Sequence, residues 1–226
     1  MKRKFPTELA YVLGIVFLAL GTAGMEKSNF GVSMVVAPAY LMHLKVSESL
    51  PFFSFGMAEY MLQGVLLIVT GLMMRRFKIS YLFSFITAVF YGLVLDAFIA
   101  LIAPLPADTM AQRMAYYVVG MLFCSAGVSM MFRTYIPGEA YELLVMELSH
   151  KFKVDIHLFK TGFDISLCVI GVVLSFLFFG FGHFEGIKWG TVVCTLINGY
   201  LISRFSKLYD HCFRFEDAWP LRKYFA

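Results

Sequence analysis

The chain has 226 residues, of which 60% are hydrophobic, and its mean hydropathy is +0.76. Soluble domains of this length contain fewer apolar residues, so the composition excludes an ordinary soluble protein and predicts a multi-pass membrane protein. The net charge of +4 does not indicate nucleic-acid binding, because the basic residues of a membrane protein report its orientation instead. The four cysteines form no CxxC motif, so neither a disulfide framework nor a zinc site is indicated.

An eleven-residue stretch near the start of the chain recurs in its second half. The segments Tyr11–Gly21 and Tyr117–Gly127 are offset by 106 residues and are identical at five of eleven positions. An offset of 107 then relates later glycines, namely Gly31 to Gly138, Gly64 to Gly171 and Gly92 to Gly199. This self-similarity indicates an internal duplication. We therefore predict one repeat over residues 1–106, a second over residues 107–206, and a tail over residues 207–226.

Six apolar runs are long enough to cross a membrane as helices. They cover approximately residues 7–25, 52–74, 81–103, 114–132, 158–179 and 187–205. The apolar segments 31–44 and 138–149 are shorter, and a 14-residue helix reaches only ~21 Å against a hydrocarbon core of ~30 Å. We expect these two segments to enter the membrane without crossing it. The basic start of the chain has no convincing cleavage site after it, which predicts a retained first span.

The basic segments decide between six crossings and eight. With six crossings the basic N-terminus, Arg75, Lys78, Lys151 and the basic tail share one side, which the positive-inside rule makes cytoplasmic. With eight crossings, Arg75 and Lys78 move outside. We therefore favour six crossings of the plasma (inner) membrane, with cytoplasmic N- and C-termini. Three crossings per half orient the halves oppositely, so the predicted fold is an all-α 3+3 inverted repeat with a short broken or re-entrant helix in each half.

Four motifs along the chain resemble those of a known family. They are Gly31-Val-Ser33, Pro137-Gly-Glu-Ala with Leu148-Ser149 downstream, Gly171-Val-Val with Gly180, and Gly190-Thr191 with Gly199. In this order they resemble the motifs of the YczE/YyaS/YitT-like group of bacterial integral membrane proteins. The resemblance implies a fold and a membrane location, and it carries no common substrate.

Two glutamates on the second short segment are the main candidates for a functional site. Glu139 and Glu142 are three residues apart and would share one face of a helix. A carboxylate at membrane depth is costly and commonly functional, which favours a substrate or proton site. The alternative places this segment at the cytoplasmic interface, with its glutamates in water and Glu139 favoured by the helix dipole. Arg133 either neutralises Glu139, binds an anionic group or anchors its helix at the cytoplasmic face.

Other polar residues interrupt the apolar runs. Asp164 lies one turn after Lys160 and is expected to pair with it. For Glu59, Asp96 and Asp164, a role facing a cavity and a structural pair near the interface both remain open. The predicted substrate-binding residues are Glu139, Glu142, Arg133, Tyr40, Glu59, Gln63 and Asn198, and the proton-coupling candidates are Asp96, Asp164 and Glu139.

Four glycines predict where helices approach each other closely. Gly14 and Gly21 are seven residues apart, as are Gly120 and Gly127, so each pair lines one face of its helix. Small residues let helix backbones come together in a membrane. We expect the first and fourth spans to meet other helices closely near their centres.

The duplication, the odd number of crossings per half and the carboxyl groups favour a small secondary transporter or permease-like protein. It would move a small polar or amphipathic metabolite, with proton coupling as an option, at a site where segments 31–44 and 138–149 meet. One alternative is a substrate-binding subunit of a larger transporter, and another is an integral membrane enzyme or assembly factor that uses the acidic residues. The expected partners are a small-molecule substrate and membrane lipid, with a homo-oligomer left open. We expect no enzyme activity, cofactor, metal site or nucleic-acid partner.

Overall fold

The computed structural model describes residues 3–75, 77–154, 156–180 and 187–219. In that part of the chain there are eight helices and two short strands. In order they are β1 (Arg3–Pro6), α1 (Thr7–Ser28), α2 (Ala37–Ser47), α3 (Phe55–Met74), α4 (Ile79–Ile102), α5 (Met110–Met131), α6 (Ala140–Phe152), α7 (Ile156–Phe179), α8 (Trp189–Cys212) and β2 (Phe213–Glu216). The all-α prediction is confirmed, and each predicted apolar segment corresponds to one helix.

Five helices in the described part of the chain are long and apolar enough to cross a membrane. They are α1, α3, α4 from Ser80, α5, and α7 from Gly162. We predicted α8 as a sixth crossing, and it is as long as the others, but it is not among these five because Asn198 and Arg204 make it more polar.

The long helices carry large apolar side chains on their outer faces. Leu72, Leu101, Leu177 and Leu196 are 67, 66, 72 and 76% exposed. Extended apolar surface of this kind is unfavourable in water and favourable against lipid chains. Together with the five apolar helices, it indicates a multi-pass membrane protein.

α1 and α5 pack against each other through the four glycines of the repeated stretch. A methyl group added at Gly21 would lie 2.5 Å from the carbonyl oxygen of Gly120, and one added at Gly127 would lie 2.6 Å from that of Gly14. Because these contacts run in opposite directions along the two helices, α1 and α5 are antiparallel. The prediction of close packing is confirmed, and each helix has the other copy of the stretch as its partner.

The two strands bring the ends of the described chain together. They pair in parallel, with Arg3 opposite Phe213 and Pro6 opposite Glu216. α8 leads directly into β2, so it continues past residue 206, where we expected the helical repeat to end. The start of α1 and the end of α8 therefore lie at the same end of the molecule.

The short helices α2 and α6 lie at opposite ends of α3. His43 of α2 donates from Nδ1 to the carbonyl oxygen of Phe53, just before α3, at 2.8 Å. Lys151 of α6 donates to the carbonyl oxygen of Met73, in the last turn of α3, at 2.5 Å. α2 begins later than the predicted segment because residues 31–36 form a loop and turn that starts at Gly31, where φ is +104°.

Candidate functional site

The start of α6 lies near the middle of α3 and α4. The Ala140 N–H donates to Oε1 of Gln63, the ninth of the twenty residues of α3, at 2.9 Å. Thr87, the ninth of the twenty-four residues of α4, donates to the carbonyl oxygen of Pro137 at 3.1 Å. Since the other end of α6 reaches the end of α3, α6 spans about half the length of its neighbour.

Gln63 links the start of α6 to a buried carboxyl group. Its side chain is 0% exposed, and its Nε2 donates to Oε1 of Glu59 at 3.1 Å. Its Oε1 accepts from Ala140, which is one of the first N–H groups of α6 and has no partner within the helix. Both ends of the amide are thus bonded, and Gln63 fixes α6 relative to Glu59.

Two carboxyl oxygens beside Gln63 have no hydrogen-bond partner among the described residues. They are Oε2 of Glu59, which is 0% exposed, and Oε1 of Glu139, which is 3% exposed. Glu139 occupies the N-cap position of α6, yet its side chain makes no capping hydrogen bond. Buried polar groups are normally paired, so an unpaired buried carboxyl group is a candidate for binding a proton or a ligand.

Two further carboxyl groups extend the site toward α7. Glu142 follows Glu139 on α6, and its buried Oε2 also has no partner in the described part of the chain. Asp164 of α7 pairs with Lys160, with Nζ and Oδ1 3.6 Å apart, which confirms the predicted pair. Lys160 also acts electrostatically on Glu139 and Glu142. We call Glu59, Glu139, Glu142 and Asp164 the carboxyl cluster.

The other end of α6 is fastened to the loop between α3 and α4. Glu147 of α6 is 7% exposed and forms an ion pair with Lys78, the residue before α4. Together with the hydrogen bond from Lys151 to Met73, this pair holds the end of α6 that lies away from the carboxyl cluster. The alternative in which the glutamates of this segment lie in water is therefore wrong for both Glu139 and Glu147.

Arg133 lies apart from the carboxyl cluster. Its Nε and Nη2 donate to the two carboxylate oxygens of Asp210 at 2.8 and 2.6 Å. Its Nη1 donates to the carbonyl oxygen of Ser129 at 2.7 Å. The guanidinium group is bonded to α8 rather than to Glu139, so it does not neutralise Glu139, and its predicted roles in substrate binding and in anchoring stay predictions.

Asp96 and Asn198 also lie outside the carboxyl cluster. Asp96 accepts hydrogen bonds from Ser54 Oγ at 2.5 Å and from the Gly56 N–H at 2.8 Å, both at the start of α3. Asn198 accepts from Ser125 Oγ at 2.8 Å, between α5 and α8. The structure gives each a contact between helices, and their predicted roles in proton coupling and substrate binding stay predictions.

Tyr40 lies in a cleft at the other end of α3. With Glu26 it lines a cavity of about 460 Å³ between the ends of α1, α2 and α4. An adjoining cavity of about 340 Å³ is lined by the same two residues together with His43 and Asp96. Tyr40 therefore lies outside the carboxyl cluster, and its predicted role in substrate binding stays a prediction.

Two buried tyrosines that the sequence analysis missed lie within electrostatic range of the carboxyl cluster. Tyr91 of α4 and Tyr141 of α6 are 0 and 1% exposed, and both interact electrostatically with Glu59 and Glu139. The Tyr91 hydroxyl donates to Thr22 Oγ1 of α1 at 2.9 Å. Tyr141 lies between Glu139 and Glu142 in the sequence, and this position could have indicated that it belongs to the site. No sequence feature near Tyr91 indicates the same.

Comparison with known proteins places the chain in a family. The family described as "Family of unknown function (DUF6198)" matches residues 5–207, so the chain belongs to that family. The match covers every member of the carboxyl cluster. No curated protein and no solved structure matches the chain. The family match does not bear on the YczE/YyaS/YitT-like resemblance, which stays a prediction.

Proposed function

We propose that this member of the DUF6198 family is a small secondary transporter, which carries a small polar metabolite and has its site at the carboxyl cluster. The observation that carries the proposal is the pair of buried, unpartnered oxygens on Glu59 and Glu139 at the start of a half-length helix. Ionisable groups among apolar helices are costly and are typical of substrate and proton pathways. Helices interrupted near the bilayer midplane are a common way for secondary transporters to form such sites.

The packing of α1 on α5 supports an inverted repeat. The offset of 106 residues maps Gly14 onto Gly120 and Gly21 onto Gly127. It therefore maps the contact between Gly21 and Gly120 onto the contact between Gly127 and Gly14, and both contacts are present. Antiparallel helices that exchange their contacts in this way are related by an approximate two-fold axis across the pair. An axis of this kind in the membrane plane is typical of transporters with inverted repeats.

The paired termini support six crossings. Because β1 and β2 hold the start of α1 and the end of α8 together, the chain would cross the membrane an even number of times. The five apolar helices and α8 make six crossings if α2 and α6 do not cross. Each half then has three crossings, and the halves face opposite ways.

The charges differ between the two repeats. The offset of 107 residues pairs Glu139 with Val32 and Glu142 with Val35. Val32 is 1% exposed, so the first repeat has a buried apolar residue where the second has a carboxyl group. The proposed site thus belongs to the short helix of the second repeat, and the first repeat contributes Glu59 and Gln63.

In the proposed mechanism the carboxyl cluster exchanges protons for a substrate group that donates hydrogen bonds. An isolated buried carboxylate is unfavourable, so the cluster is more stable with a bound proton or a bound substrate than with neither. Since Gln63 is bonded to both α6 and Glu59, displacement of α6 would change the surroundings of that carboxyl group. Movement of one repeat against the other would open the cluster to each side of the membrane in turn.

Uptake into proteoliposomes tests this proposal. Labelled amines, amino acids, organic acids and sugars are offered to reconstituted protein with and without a proton gradient. We expect one class to accumulate, and we expect Glu139→Gln to abolish its accumulation because the proposed site then loses a carboxyl group. Glu48→Gln is the control, since Glu48 is exposed and pairs with Lys45 on the surface. Folded wild-type protein that neither binds nor accumulates any of these solutes would contradict the proposal.

A further inference from the structure

We propose that the carboxyl cluster selects a solute with a cationic nitrogen that carries N–H groups, such as a primary ammonium group. The inference adds a chemical class to the solute and rests on the proposed transport function. It is drawn from the charge of the cluster, the hydrogen-bonding capacity of its unpartnered atoms, and the aromatic residues around it.

The charge of the cluster favours a cation. In the described part of the chain, the ammonium group of Lys160 acts on Glu139 and Glu142 and is itself paired with Asp164. The N-terminal end of the α6 dipole adds only about half of an elementary charge. Each carboxyl group of the cluster that releases its proton leaves a negative charge, which a cationic solute would offset and an anionic solute would increase.

Four oxygens of the cluster make no hydrogen bond in the described part of the chain, namely Oε2 of Glu59, Oε1 of Glu139, Oε2 of Glu142 and Oδ1 of Asp164, of which the last has only its ion pair with Lys160. A carboxyl group that has released its proton can only accept, so these oxygens then require hydrogen-bond donors. A carbonyl or carboxylate group of a solute offers acceptors alone. An ammonium group offers three N–H donors and carries the charge that makes such hydrogen bonds short and strong.

The residues around the cluster favour a nitrogen cation over a metal ion. Tyr91 and Tyr141 are buried and interact electrostatically with Glu59 and Glu139, and aromatic rings attract ammonium groups through their quadrupoles. Among the described residues, no group of three histidine, cysteine, aspartate or glutamate side chains is placed to hold a metal ion. An ammonium group needs no such ligand set, because its hydrogen bonds and aromatic contacts suffice.

Thermal unfolding of the purified protein in detergent tests the class of ligand. The probe is propylammonium chloride, and the matched compounds are propionamide, sodium propionate and sodium chloride. At about ten times its dissociation constant, we expect propylammonium to raise the melting temperature by roughly 3–6 °C. We expect no comparable rise with the other three compounds. In Glu139→Gln the rise should disappear, and in the control Glu48→Gln it should persist.

Glu59→Gln provides a second variant in case Glu139→Gln does not fold, and it should also lose the response. A response to propylammonium that survives both substitutions, or its absence in the wild-type protein, overturns the inference. Uptake into proteoliposomes separates this failure from failure of the proposed function. If uptake of an anionic or neutral solute depends on Glu139, the proposed transport function is supported and the selectivity for a cation is contradicted. If propylammonium binds in a Glu139-dependent way but no amine is taken up, the cation site is supported and the transport function is contradicted.

Discussion

Gln63 is the residue that positions the carboxyl cluster. It is fully buried, donates to Glu59 on its own helix and accepts from the first residue of α6. In apolar surroundings a broken hydrogen bond leaves a polar group with no water to replace its partner. The two hydrogen bonds of one amide therefore hold a short helix and a carboxyl group in a fixed relation, which neither propensity nor apolar packing of α6 provides.

Gln63→Leu should destabilise the protein by about 1–3 kcal/mol, because Glu59 and the Ala140 N–H both lose their partner. Thermal unfolding in detergent measures the change. Met61→Leu on the same helix is the control, since Met61 is 51% exposed and its replacement leaves these hydrogen bonds intact. Equal melting temperatures for the two variants would mean that Gln63 does not hold α6.

The packing of α1 on α5 depends on the absence of side chains at four positions. Their backbones approach closely at Gly14 and Gly127 and again at Gly21 and Gly120. In lipid, close packing of this kind replaces the hydrophobic effect as the source of helix association. The pair also packs against α4 through α1 and against α8 through α5.

Gly21→Ala should destabilise this contact by about 1–3 kcal/mol, because its methyl group would lie 2.5 Å from the Gly120 carbonyl oxygen and only backbone movement relieves the clash. Gly199→Ala is the matched control, since a methyl group there has nothing within 4 Å. The control should leave stability unchanged or raise it by about 0.5–1 kcal/mol, as removal of a glycine from a helix interior does. Thermal unfolding of both variants measures these changes. A melting temperature that is unchanged in Gly21→Ala would contradict the close packing of α1 on α5.

The anchor of α6 can be tested by a double-mutant cycle. Lys78→Met leaves Glu147 buried without its partner, so we expect a loss of about 1–3 kcal/mol, reduced from that of a fully buried pair because Lys78 is 39% exposed. The double variant Lys78→Met/Glu147→Met should recover part of this stability. Lys45→Met is the control, because the pair of Lys45 with Glu48 is exposed and should contribute less than about 1 kcal/mol. Additive effects in the cycle would show that the pair does not anchor α6.

For the whole molecule, local sequence patterns predicted the elements well. Apolar runs predicted each helix, and the predicted ends agree with the structure within a few residues except in α2 and α8. The repeated glycines predicted the close contact that α1 makes. Spacing along one helix also gave the pair of Lys160 with Asp164. These features depend on residues within a few turns of each other, so they can be read without knowing the fold.

Contacts between distant helices could not be predicted in this way. A helix in lipid is apolar on its outer and inner faces alike, so hydrophobic periodicity does not show which face meets which neighbour. Which helix faces meet determines three features of the structure. They are the contact of Gln63 with α6, the pairing of Arg133 with Asp210, and the burial of Tyr91. The pairing of β1 with β2 is equally long-range, and neither strand is longer than four residues.

The number of crossings can be tested by labelling cysteines with a membrane-impermeant maleimide. One variant keeps only Cys212, which is exposed at the end of α8, and lacks the other native cysteines, Cys124, Cys168 and Cys194. A second variant lacks all four and carries Asp108→Cys, in the exposed loop between α4 and α5. With six crossings and cytoplasmic termini, Asp108→Cys reacts in intact cells and Cys212 reacts only after lysis. Eight crossings would protect both positions, and a chain in which α8 does not cross would expose both. Either result would contradict the proposed inverted repeat, because its two halves would need three crossings each and the paired strands would need to share one side of the membrane.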